Sequence, residues 1–239
     1  WRATMWVLAA ALALIPLLAM PLREEGHGAH TAGPKPSARL AIAAAGSDRD
    51  FWLLNIGFAT CGFQLAFLAT YLPTILSDGG LGLAAGATVL AAIGIFNIAG
   101  TYLCGLAGSR WPKTRVLAVL YLLRGGFILL FLALPMSMPA AIAFGAAMGL
   151  LWTGTVPLTN GLVADLWGRR HLAFLFSTVY IGHQIGAFVG AWAGGFAFDH
   201  TGSFEPVWIA MIGMSVAAAI MHWLVDESPR PLALRENAA

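Results

Sequence analysis

Charge is what this sequence has least of: Asp, Glu, Lys and Arg make up 10% of its 239 residues, against 59% hydrophobic ones. So little charge cannot cover a globule in water, which excludes a soluble domain. Cysteine is nearly absent as well. Cys61 and Cys104 both fall inside apolar runs, which excludes a disulfide framework and a zinc site of CxxC spacing. Both are read as packing residues, and neither a metal nor a cofactor is expected. No Walker-type glycine loop occurs, so ATP is not the expected energy source. An intramembrane enzyme would need a converged nucleophile or metal set, and scattered serines with one histidine deep in a run, His183, supply neither. The chain is therefore expected not to be an enzyme, and nucleic acid is not an expected partner.

Long apolar runs are what the sequence has instead. Seven charge-poor stretches occur, at 3–22, 51–77, within 79–109, 116–134, within 136–164, 172–198 and 206–225. Each can cross a bilayer core of about 30 Å, which takes about 20 apolar residues as a helix. None alternates with the period of two that a barrel strand needs, so the expected class is all-α integral membrane. The net charge of +2 matters less than where the basic residues stand. Lys and Arg occupy every second connection: Arg23, Lys35, Arg39 and Arg49, then Arg110, Lys113 and Arg115, then Arg169 and Arg170, and finally Arg230 and Arg235. The intervening loops SDGGLG, PMSMP and DHTGSFE have none. The positive-inside rule places the basic loops and the C-terminus in the cytoplasm, with Arg2 on the far side.

The opening run is read as a helix and not as a signal peptide, because no small-x-small cleavage site precedes PLREE. Residues 23–50 are charged, contain Gly and Pro, and lack a long apolar face, which marks a cytoplasmic linker. The expected organisation is one helix over 1–22, the linker over 23–50, a six-helix bundle over 51–228 and a cytoplasmic tail over 229–239. One helix plus six is natural for the back end of a two-bundle transporter, each half being a pair of inverted three-helix repeats.

Polar and small residues gather on particular faces of the runs. Gly57, Thr60, Cys61, Gln64 and Tyr71 recur at helical spacing in the second run, and Gly94, Asn97, Thr101, Gly105 and Gly108 in the third. Such stripes pack helices or line a watery pathway. In the fifth run, LLWTGTVPLTN, Gly154 and Pro157 weaken the helix at mid-depth beside Trp152, and Thr153, Thr155, Thr159 and Asn160 stand ready to satisfy freed backbone groups. The sixth run carries Gly182, Gly186, Gly190 and Gly194 every fourth residue, a seam demanding close approach of another helix. Tyr180, His183 and Gln184 flank that seam. The candidate pathway residues are thus Gln64, Tyr71, Asn97, Trp152, Tyr180, His183 and Gln184. His183 is either a proton carrier or a helix–helix hydrogen-bonding residue.

GLAGSRWPKTR, from Gly105 to Arg115, resembles the loop motif that the major facilitator superfamily repeats between its eighth and ninth helices. LVADLWGRRHLAF resembles the loop between its tenth and eleventh helices, and GGFAFDHTGSF the end of the eleventh in monocarboxylate-transporter-like and oxalate/formate-antiporter-like members. The resemblance makes 1–22 the sixth helix of twelve, 23–50 the central cytoplasmic loop and the rest the C-terminal half, with Gly105, Arg110, Arg115, Gly168, Arg169 and Arg170 as its loop-motif residues. Ser109 stands where the loop motif commonly has aspartate, so the family's salt-bridge network does not carry over intact. The chain would face an N-terminal half of the same protein.

Arg124 is the one charge inside the fourth run, where a bilayer-centre arginine costs about 2.5–3.5 kcal/mol. Three readings are open: a structural or gating pair with Asp165, direct anion binding, or snorkelling to the interface. Carbonyls exposed at the Gly154–Pro157 break are a further partner. The function expected is secondary active transport of a small solute by alternating access. The solute expected is an organic anion such as a monocarboxylate, coupled to protons through His183, in the plasma (inner) membrane. The alternatives are an amphiphilic-drug exporter of the same superfamily and a transport-inactive sensor or scaffold.

Overall fold

A computed structural model describes residues 38–169 and 171–230, together with Met5, Trp6, Ala9, Ala10, Ala13 and Leu14, all six of them helical. The rest of the expected first helix, residues 15–37, Arg170 and the tail from residue 231 lie outside the described residues. The chain divides into two units, Trp1–Pro36 and Ser37–Ala239, and the second carries the fold set out below.

Among the described residues that unit is all helical: α1 (Ala38–Gly46), α2 (Arg49–Leu76), α3 (Leu83–Arg110), α4 (Lys113–Ala133), α5 (Met138–Leu151), α6 (Thr155–Trp167), α7 (Leu172–Thr201) and α8 (Glu205–Trp223). Six stretches are long and apolar enough to cross a membrane, α5 and α6 together forming one of them. α1 was not expected inside the linker. Its sequence ARLAIAAAG is rich in alanine, the strongest helix former, and Ala45 is buried where α1 packs on α2 and α7.

Chain reversals fall where backbone chemistry allows them. Asp48 caps α2 by accepting from the Asp50 N–H, and Ser137 caps α5 by accepting from Ala140 N–H. Gly82, Gly168 and Gly202 turn the chain with positive φ values of 77°, 83° and 68°, a region that costs glycine little.

α2 is the centre of the bundle, with 61% of its apolar stretch buried, whereas α3 and α7 bury 22% of theirs. The glycine seam of α7 packs against α2. A side chain at Gly186 would strike the Ala59 carbonyl, and one at Gly190 the Phe63 carbonyl, so the two backbones approach as only small residues permit. α3 pairs with α5, and α4 with α8. Trp52, Trp111 and Trp223 are exposed near helix ends, as interfacial tryptophans are. Trp167 and Trp208 are buried: Trp167 meets Phe51 edge-on at 5.7 Å, and Trp208 meets Phe67 at 5.3 Å.

The segment after α8 straps the basic end together. Glu227 accepts from the backbone N–H and hydroxyl of Thr114 at 2.6 and 2.7 Å, capping the start of α4. Arg230 binds Asp48 at 2.7 Å and also Asp50, while its own N–H reaches the Leu166 carbonyl near the end of α6. The Ser228 backbone N–H and hydroxyl hold the Asp226 carboxyl below the usual carboxylate range.

Candidate functional site

The fourth of the six membrane-crossing stretches is broken at Trp152–Gly154, between α5 and α6. Pro157 explains the position. A proline ring clashes with the carbonyl four residues back, here Thr153, but sits comfortably in a first helical turn. The helix therefore stops before Thr153 and restarts at Thr155. The break frees carbonyls at the end of α5, and Arg124 takes them up: its Nε donates to Leu151 O at 3.1 Å, and its Nη2 to Leu151 O and, at 2.6 Å, to Trp152 O. Arg124 is fully buried, its guanidinium lies 5.4 Å from the Tyr121 ring and beside the Cys61 thiol, and its Nη1 has no nitrogen or oxygen partner among the described residues.

Asp165 is not its partner here. Asp165 binds Lys113 at 2.6 Å. α4 and α6 run antiparallel, so once Lys113 faces Asp165, a residue eleven further along α4 faces one eleven earlier on the other stretch. That residue is Arg124, and its opposite number is Gly154 in the break. Helix register, not affinity of charge, separates the expected pair. Arg124 also does not snorkel, since it is 0% exposed.

The break is held from two more sides. On α3, Asn97 Oδ1 accepts from the Thr153 backbone N–H at 3.1 Å and the Thr153 hydroxyl at 2.7 Å, and the Thr101 and Thr153 hydroxyls lie 2.9 Å apart. On α2, Cys61 Sγ lies 3.3 Å from the Thr155 hydroxyl. Of the threonines expected to satisfy freed backbone, Thr153 and Thr155 thus bond neighbouring helices, the buried Thr159 hydroxyl has no partner among the described residues, and the backbone carbonyls go to Arg124. Electrostatically, a guanidinium neutralises the negative end of α5 and leaves the positive N-terminal end of α6 without an anion at mid-depth.

The remaining candidates divide between open and buried positions. Asn97 and Trp152 are half-buried beside the break, and Gly94 and Gly105 of the α3 stripe have open space where a side chain would begin. Tyr180 and Gln184 are exposed on α7. His183, 7% exposed, stacks on Tyr180 at 5.1 Å, contacts Phe58, and shares a 3.1 Å hydrogen bond with Gln184 through Nδ1. Its Nε2 has no nitrogen or oxygen partner among the described residues, and the ring lies beside the Cys61 thiol of α2.

Gln64 and Tyr71, by contrast, tie helices together. Gln64 is fully buried and donates to Met211 O at 3.1 Å and to the Ser215 hydroxyl at 2.7 Å on α8. Tyr71 donates to Ala191 O on α7 at 2.7 Å. Ser215 was missed by sequence reasoning, although it is the lone hydroxyl of an apolar helix. Of the loop-motif residues, Arg115 lies over the Trp223 ring at 5.7 Å, Gly168 ends α6, Gly105, Arg110 and Arg169 are exposed, and Arg170 lies outside the described residues.

Comparison with known proteins bears on the whole chain. The family model described as Major Facilitator Superfamily matches residues 1–158 and, in an overlapping match, 97–239. An uncharacterized MFS-type transporter, YcxA of Bacillus subtilis (strain 168), is 27% identical over 235 residues, 94% of this chain and 57% of that protein. A gallate transporter of Pseudomonas putida is 27% identical over 190 residues, 74% of this chain and 39% of that protein. The chain spans less than two thirds of the length of either relative.

Proposed function

The chain belongs to the major facilitator superfamily, and from that premise we propose that it is the C-terminal half of a proton-coupled secondary transporter for a small organic anion. The family and both relatives are transporters, which sets the chain among these and apart from enzymes. The observation that carries the proposal is the broken helix with Arg124 behind it. A buried guanidinium occupies the carbonyls of α5, which places positive charge behind the break and removes the competing negative helix end. The aromatic Trp152 beside it suits a flat, partly apolar solute. That one relative carries the name of a gallate transporter supports an aromatic carboxylate over lactate-like or oxalate-like solutes.

The two bundles rock around this site, the N-terminal half supplying its opposite wall. His183 is the proton carrier, because its buried ring sits against the Cys61 thiol with Nε2 free of any nitrogen or oxygen partner among the described residues, on a helix that the bundle leaves largely uncovered. The basic end with its strap and C-terminus faces the cytoplasm, and the membrane is the plasma membrane.

The test is uptake of radiolabelled gallate by proteoliposomes of the complete native polypeptide under an imposed pH gradient. The expected result is uptake that follows the gradient and collapses with a protonophore, and His183→Gln that still exchanges gallate but no longer follows the gradient. Gradient-driven movement of ethidium without gallate would replace this reading with drug export.

A further inference from the structure

The Asn97 side chain is oriented by a donor that has no alternative role. A backbone N–H can only donate, and Thr153 N–H points at Asn97 from 3.1 Å. The amide must therefore turn its oxygen toward the break, because the flipped amide would set N–H against N–H. The Thr153 hydroxyl at 2.7 Å uses the same oxygen, and the Thr101 hydroxyl reaches it at 3.4 Å. The Asn97 NH2 group consequently faces away from the break, and neither of its hydrogens has a partner among the described residues. Asn97 is only half-buried, and one turn away, at Gly94, nothing stands within 4 Å of where a side chain would begin. Two fixed donors thus border open space at mid-membrane, where an unfilled polar group finds no lipid partner.

We infer that Asn97 is a specificity-determining residue whose NH2 group binds a carboxylate oxygen of the transported solute. Thr101 and Thr153 are positioning residues that hold the amide in this orientation. The inference rests on the organic-anion reading and adds to it the chemical reason for selection: a donor pair accepts a carboxylate and rejects a group that is itself a donor at that point.

Asn97→Asp separates this from a structural role. Aspartate has the same shape and still accepts from the Thr153 N–H and hydroxyl, so the break stays tied, but it replaces the NH2 with a second oxygen carrying negative charge. A purely structural Asn97 predicts little change. A donor to substrate predicts that, in the complete native polypeptide, the KM for gallate rises about 10- to 100-fold, as loss of a hydrogen bond to a charged group implies. Thr153→Val, which keeps the N–H, is expected to raise KM less than Asn97→Asp does. If Asn97→Asp does not reach the membrane, Asn97→Ser is compared in the same way, and a gallate KM equal to wild type overturns the assignment for either variant. Failure of wild type to move gallate, benzoate or lactate overturns the organic-anion reading and this inference together. Wild-type gallate flux matched by the variant overturns the Asn97 assignment alone.

Discussion

At the scale of residues, Arg124 shows how an isolated charge can belong in lipid without a carboxylate. Its partners are the Leu151 and Trp152 carbonyls that the helix break leaves free, and two of its nitrogens serve them at once. Replacement by methionine relieves a buried charge but leaves two carbonyls at a helix end unpaired, each costing about 1–3 kcal/mol. Because those carbonyls carry the concentrated dipole of α5, their loss outweighs the relief. Arg124→Met is expected to lower stability by about 2–3 kcal/mol and to abolish flux, with Arg124→Lys recovering part of both. Thermal unfolding in detergent, read beside flux, checks this. Full stability in the methionine variant would show that the carbonyls find water instead. The anomaly of Arg124 was plain in the sequence, and so was the weakness at Gly154 and Pro157. Their meeting was one pairing left open there, beside that with Asp165, and the choice between them depends on the antiparallel register that Lys113 and Asp165 set.

Elements show the same division. Spacing of apolar runs located the six membrane helices, and the four-residue glycine period of α7 announced a close neighbour, which turned out to be α2. α1 escaped notice because nine residues are too few for a periodic signal. The strap after α8 escaped because DESPR reads as a polar tail until Asp50, Thr114 and Leu166 are brought beside it by the fold. Its bonds make local stability testable. Asp226 N–H donates to Asp50 at 3.0 Å and Thr114 N–H to Glu227 at 2.6 Å, so Asp50→Asn and Glu227→Gln are each expected to speed hydrogen exchange at the amide they release. Acid acts on the same segment. The Asp226 carboxyl is held below its ordinary range, so its contribution is present above the unfolded carboxylate range and fades only as pH falls through the lowered value. Exchange at Ser228 N–H, corrected for intrinsic rate, should therefore stay slow through mildly acidic pH and quicken below it.

For the whole molecule, the uneven covering of the helices matters most. α2 is wrapped by its neighbours, while α3 and α7 leave long faces bare, and those faces carry Asn97, Tyr180 and Gln184 together with the open glycines. From the sequence alone, the α3 stripe could serve helix packing or a pathway. Gly108 does pack, against Leu158, but nothing stands close to Gly94 or Gly105. In the proposed transporter this face would line a water-filled route closed on the other side by the N-terminal half, with the broken helix at its middle. The direct measurement is the reaction of Gly94→Cys, in the complete native polypeptide with Cys61 and Cys104 replaced by serine, with a membrane-impermeant sulfonated thiosulfonate, which needs water and an ionised thiol. The account predicts modification, slowed about tenfold by saturating gallate as expected for a site nearly always occupied. A cysteine that stays unreactive, or reacts at one rate with and without gallate, would contradict it.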